Sequence, residues 1–195
     1  RLPELYAEQA LGRYFSTADL LALATALSEE INTVRLGPVT LSAAEAFRLL
    51  LEAFVLHADR RGTTERVPYA PLAGPTVIGP APPRAFALAY DQFERIARRL
   101  LQQVRETPAV PAQVQVNNVA VDAASYLAAV ARVLAGMLRG DATPATVEIK
   151  PAARRFEDTV DPNAAASAAR SAMMKPGFEA PGLYELAKLL AKDWP

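Results

Sequence analysis

His57 is the one histidine in a chain of 195 residues that holds no cysteine. Together these two facts remove much of the chemistry open to a chain of this size. A histidine acting as general base needs a nucleophile to deprotonate and a third group to orient its ring. No thiol exists, and no serine sits in a G-x-S-x-G context. His57 stands near the end of a helical run beside Ala58-Asp59-Arg60-Arg61. A cation suits the dipole there, so it reads as a surface residue and not as a catalyst.

Without thiolates and with one imidazole, a zinc or iron centre lacks ligands. The dense acidic loop Glu157-Asp158-Thr159-Val160-Asp161-Pro162-Asn163 lacks the glycine and closing glutamate of a calcium loop, and reads as a solvated loop with a helix cap. The carboxylates Glu29, Glu30, Asp91 and Glu94 fall on amphipathic helices as charged solvent faces. A small hydrolase built on them would have no motif behind it. Gly74-Pro75 and Gly79-Pro80 each place a proline where a phosphate loop wants a backbone donor. No catalytic residue, cofactor or metal is therefore expected.

Binding chemistry is less excluded. Lys+Arg and Asp+Glu both total 21, giving no net charge, so the footprint of a nucleic-acid binder is missing. Arg95, Arg98, Arg99 and Arg105 share a helix but alternate with Asp91, Glu94 and Glu106, which is a mixed solvated face. Aromatics able to stack on sugar rings are Tyr69, Tyr90, Tyr126, Tyr184 and Trp194. Tyr126 takes a core position on its helix. Tyr69, in a strand ahead of a proline run, is the one expected to be exposed.

The elements that carry these residues recur. Residues 114–134 (VQVNNVAVDAASYLAAVARVL) fall without a gap on residues 34–54 (VRLGPVTLSAAEAFRLLLEAF), eighty positions earlier. Val34/Val114, Val39/Val119, Ala43/Ala123 and Ala44/Ala124 are identical. The same offset continues through Thr63/Thr143, Val67/Val147, Pro71/Pro151 and Ala73/Ala153. The stripe Leu20, Leu23, Ala24, Leu27 has the i, i+3, i+4, i+7 spacing of a buried helix face. It returns as Phe93, Ile96, Ala97, Leu100 and again as Leu183, Leu186, Ala187, Leu190.

In chain order, residues 2–15 read as a short helix, and Ser16-Thr17-Ala18-Asp19 caps a helix reaching about Ile31. Val34–Leu36 reads as a strand and Gly37-Pro38 as a turn, matched by Asn117-Asn118. Ser42 and Asp122 cap helices of about sixteen residues, followed by polar breaks and strands at 66–69 and 146–150. The predicted fold is α+β: two tandem helix-strand-helix-strand repeats, predominantly helical with short strands, plus a C-terminal helix starting or capping a third repeat. The divisions are a first repeat with its N-terminal helix at 1–73, a Pro/Gly-rich connector at 74–85, a second repeat at 86–153 and a C-terminal helical segment at 154–195, with helices at 163–174 and 181–192. Opening on Arg1 and not on Met, the chain is expected to be a processed or excised piece of something larger.

A helix F-x-x-I-A (93–97), then P-A-x-V-x-V-N-N-V-x-V (111–121), then A-x-Y-L-A-A-V-A (124–131) resembles the pseudomurein-binding repeat. The close at 178–187, FEAPGLYELA, resembles the start of a following unit. The resemblance covers about two thirds of the chain, on residues that are mostly apolar framework. It implies a non-catalytic, extracellular module that holds a surface protein on a cell-wall polymer or other polysaccharide. Asn117 and Asn118 at the repeat turn, with Arg60, Arg61 and Tyr69, are the expected contacts. The alternative is a structural subunit of an extracellular assembly, formed as a homo-oligomer or by docking with other surface-protein chains through its short strands. The longest apolar runs, 20–27 and 128–138, are too short to span a membrane.

Overall fold

Ser16 fixes the start of the first helix locally. Its hydroxyl accepts the Asp19 N–H at 3.3 Å, and the Asp19 carboxylate accepts the Ser16 N–H at 3.0 Å, so two otherwise unpaired helix donors are met reciprocally. In the computed structural model, which describes residues 12–59, 66–75, 82, 84–107, 109–117 and 119–153 apart from the Glu29 side chain, this helix is the first of four among those residues, two in each of two like units. The elements are β1 (Tyr14–Ser16), α1 (Thr17–Glu29), β2 (Val34–Leu36), β3 (Val39–Leu41), α2 (Ala43–Asp59) and β4 (Arg66–Pro68). The second unit has β5 (Phe86–Ala89), α3 (Tyr90–Glu106), β6 (Gln113–Val116), β7 (Val119–Asp122), α4 (Ala123–Arg139) and β8 (Thr146–Ile149).

The class is α+β, but each unit is β-α-β-β-α-β and not helix-strand-helix-strand. Gly37-Pro38 and its counterpart are the tips of tight hairpins, β2–β3 and β6–β7, with Leu36 opposite Val39 and Val116 opposite Val119. Gly37 has φ +60 and Asn117, eighty residues on, has φ 54. A positive φ followed by proline is the sign pattern of a two-residue type II′ turn, whose twist suits the strands. The second strand of each hairpin runs directly into a helix cap, so its alternation is cut short after three or four residues.

Phe15 is also not helical. It lies in β1 opposite Val67, buried between exposed Tyr14 and Ser16, and Leu88 of β5 faces Val147 of β8 in the same way. Gly12, at φ +78, sits at a turn ahead of β1. Residues 1–11 of the expected first helix lie outside the described residues, as does all of the C-terminal segment beyond 153. Three further boundaries move: α1 stops at Glu29, short of the expected end near Ile31; β8 stops at Ile149 and not at residue 150; and Tyr69 follows β4, its N–H still bonded to the Arg13 carbonyl at 2.9 Å.

The cap of the second helix is built twice from the same parts in opposite order. In the first unit Ser42 and Glu45 exchange bonds, the Ser42 N–H donating to the Glu45 carboxylate at 2.8 Å and the Glu45 N–H to the Ser42 hydroxyl at 3.3 Å. In the second, Asp122 accepts the Ser125 N–H at 2.8 Å and the Ser125 hydroxyl at 2.7 Å. Each pair also holds the chain that returns after the last strand. Tyr69 donates its hydroxyl to Glu45, and the Ala152 N–H donates to the Ser125 hydroxyl at 3.0 Å.

The units pack by exchanging partners. The first helix of one unit lies on the second helix of the other: α1 on α4, and α3 on α2, while α2 and α4 also touch. The α1–α4 contact is the most extensive between helices, and α4 carries a row of buried alanines (Ala124, Ala128, Ala131, Ala135) whose small side chains suit close helix packing. The α2–α3 crossing is spaced by Phe54, whose ring meets Phe93 edge-on at 5.6 Å and Tyr90 at 6.2 Å. Phe93 in turn stacks on Tyr126 at 5.0 Å, and the buried Tyr126 hydroxyl donates to the Phe93 carbonyl at 2.9 Å. Beside the connector, Ala73 bridges in parallel to Ala109, its carbonyl taking the Val110 N–H at 2.9 Å. Among the described residues no helix is long and apolar enough to cross a membrane.

Candidate binding groove

On α3, positions 92, 95, 96 and 99 recur at helical spacing and come out on one side. The β6–β7 hairpin passes beside that side and adds Gln115 and Asn117. The six residues Gln92, Arg95, Ile96, Arg99, Gln115 and Asn117 line an open groove of about 540 Å³, within the size range of ligand sites. Ile96 is buried, while Arg95, Arg99, Gln115 and Asn117 are exposed around it.

The two halves of the groove are tied together. Arg99 donates to the Gln115 carbonyl at 2.9 Å, which fixes its guanidinium against the hairpin. Arg95 pairs with Asp91 one turn back, at 3.3 Å, with both side chains about 70% exposed; such pairs contribute only about 0.3–0.5 kcal/mol. The lining therefore offers two guanidiniums, three amides and an apolar floor. The arrangement offers hydrogen-bond donors and a planar cationic surface to a ligand.

Of the expected contacts, Asn117 is in this groove, at its hairpin tip. Asn118, Arg60 and Arg61 lie outside the described residues. Tyr69 is corrected: its residue is only 7% exposed. Burial and the Glu45 carboxylate push its hydroxyl pKa well up, so it is a structural strut of the α2 cap and not a sugar platform. Arg95 and Arg99 do not stand out along the chain because they alternate with acids on α3, and Gln92 and Gln115 carry no sequence signal of their own. The signal that marks them is the comparison between units, since Ala22, Ala26 and Gly37 stand at the places of Arg95, Arg99 and Asn117.

A second hollow of about 570 Å³ opens at the seam between the units, lined by His57, Tyr90, Glu94, Met137, Asp141 and Thr143 among others. His57 is corrected too: it is 8% exposed, and burial lowers its pKa. His57 and Met137 are partners under the eighty-residue offset, so the hollow lies where the two units meet symmetrically. Two of its polar groups are engaged in bonds of their own. The Tyr90 hydroxyl points to the Met137 sulfur at 3.9 Å. Glu94 is held by Arg98 at 2.6 Å, and Arg98 also reaches Asp59 across the seam at 2.7 Å. Among the expected solvated carboxylates, Asp91 is exposed, whereas Glu94 is partly covered by this bridge. Among the described residues no group of three His, Asp or Glu could hold a metal. The acidic loop at 157–163 lies outside them.

Comparison with known proteins finds no protein family, no curated protein and no solved structure that matches this chain.

Proposed function

We propose that this chain is a non-catalytic binding module of an extracellular surface protein, attaching through the α3–hairpin groove to a cell-wall polymer or polysaccharide. The observation that carries the reading is the groove's lining. Exposed amide and guanidinium donors around an apolar strip suit the hydroxyls, amides and ring faces of a sugar chain, and no proton-transfer group accompanies them. The resemblance of residues 93–134 to the pseudomurein-binding repeat supports it from the sequence side.

The test is retention of the purified chain on insoluble murein and pseudomurein walls at moderate and high salt. Saturable retention on one polymer, lowered by Asn117→Ala and Gln115→Ala with helix content unchanged, is expected. Absence of retention on every wall preparation would overturn the reading.

A second reading, a subunit that associates with its own kind or with other surface chains, is favoured by one observation. Among the described residues all four sheets are two-stranded, so each strand has an edge with no strand beside it. Light scattering over a concentration series separates the two, because a monomer at every concentration excludes self-association.

A further inference from the structure

We infer that the α3–hairpin groove selects an anionic sugar polymer, and that the pair of units carries one such site and not two. This rests on the polymer-binding role proposed above and narrows it. Arg95 and Arg99 stand four residues apart on α3 and so project from the same side, one turn apart. Arg99, which lines the groove, spends one donor on the Gln115 carbonyl, and a guanidinium has four further N–H donors. Arg95 donates to the Asp91 backbone carbonyl at 3.3 Å and to the Asp91 carboxylate at 3.3 Å, and the latter is an exposed ion pair that a better anion displaces at little loss. None of the six lining residues is a carboxylate. Two guanidiniums spaced by a helical turn, flanked by amide donors, match charged groups repeated along a sugar chain, because each guanidinium presents a planar fork to a carboxylate or phosphate.

The first unit shows what the same framework looks like without this function. At the places of Arg95 and Arg99 it has the exposed alanines Ala22 and Ala26. Where Gln92 stands it has Asp19, an anion already consumed in the Ser16 cap. Where Gln115 stands it has Arg35, whose Nε is turned onto the Gly37 carbonyl of its own hairpin at 3.1 Å. The backbone is duplicated; the cationic groove is not. Because the chain has no net charge, any preference for anions must come from such a local patch, and it must fade as salt shortens the screening length to well below about 10 Å.

The experiment is calorimetric titration of the full chain with three soluble probes: neutral chitin oligosaccharides, carboxylate-bearing oligogalacturonates and phosphodiester-bearing poly(glycerol phosphate). At least one charged probe is expected to bind about tenfold or more tightly than the neutral one. The two charged arms report which anion fits. Arg95→Ala/Arg99→Ala should remove about that factor on the charged probe and leave the neutral probe unchanged. Arg95→Lys/Arg99→Lys should restore part of it, and Arg35→Ala in the first unit should do nothing. Circular dichroism checks that each variant keeps its helices. Equal binding of all three probes, or charged binding indifferent to the double alanine variant, overturns this inference and leaves wall attachment standing. Failure to bind any probe together with failure on whole walls overturns both.

Discussion

Cutting the chain between its units is the sharpest test of the partner exchange. In a fragment of residues 1–75, α1 keeps its cap and its sequence but loses α4. Leu20, Leu23 and Leu27 are each fully buried in the intact fold. Burying a leucine contributes about 1.5–3 kcal/mol, so these three alone represent roughly 5–9 kcal/mol. That equals much of the roughly 5–15 kcal/mol by which a whole domain is stable. The neighbour within the same unit cannot replace the loss, because α1 touches α2 only marginally. A free helix of 13 residues is marginal in water. The same reasoning applies to 82–195, where α3 would lose α2 and with it the Phe54–Phe93 contact. Each fragment alone should therefore give weak far-UV dichroism and no cooperative melting, and mixing them should restore both. A fragment 1–75 that melts cooperatively by itself, with the helix content of the intact first unit, would refute the reasoning.

Other consequences follow from single residues. Burial disfavours the charged form of His57, so its folded pKa lies below the ordinary histidine value of about 6.5 and the unfolded chain takes up the proton first. Its contribution to stability is complete above about pH 6.5 and is lost as pH falls through that value toward the folded pKa; urea titrations of wild type and His57→Gln at pH 7.5 and 5.5 should show the wild type losing more. Tyr69→Phe removes the hydroxyl given to Glu45 and should cost about 1–2 kcal/mol in urea unfolding, with binding to any polymer unchanged. At Gly37 nothing lies within 4 Å of an added Cβ, so only backbone strain matters. Gly37→Asn, the residue of the second hairpin, should be near neutral, while Gly37→Val should cost roughly 1–2 kcal/mol in thermal melts.

The helices and their caps were legible because their causes are local. Ser16 with Asp19 and Ser42 with Glu45 are visible three residues apart, and the apolar stripes carry their own period. The hairpins were half legible: their turns stood out, but β3 and β7 are three or four residues that merge into caps, too few to show alternation. The burial of Tyr69 depends on Glu45, 24 residues away, and that of His57 on α3 and α4, so neither could be read along the chain. The partner exchange is wholly non-local. The stripe on α1 says that it is buried and is silent about which helix buries it. The groove was hidden for another reason, since a row of arginines among acids looks like any solvated helix until the hairpin is laid beside it.

The reciprocal packing also has a bearing on ancestry. If each unit buries its first helix mainly against the other, then a single unit is poorly covered on its own. A gene encoding one unit would have worked as a symmetric dimer, with α1 of each copy on the second helix of its mate. Joining two such genes through the proline-rich connector converts that dimer into one chain and frees the halves to differ. Ala46 facing inward in one half where Tyr126 stands in the other, and Ala22 and Ala26 where Arg95 and Arg99 stand, are differences a strict dimer could not have held. On this view the groove is younger than the fold that carries it, and fusion was the event that allowed it to arise.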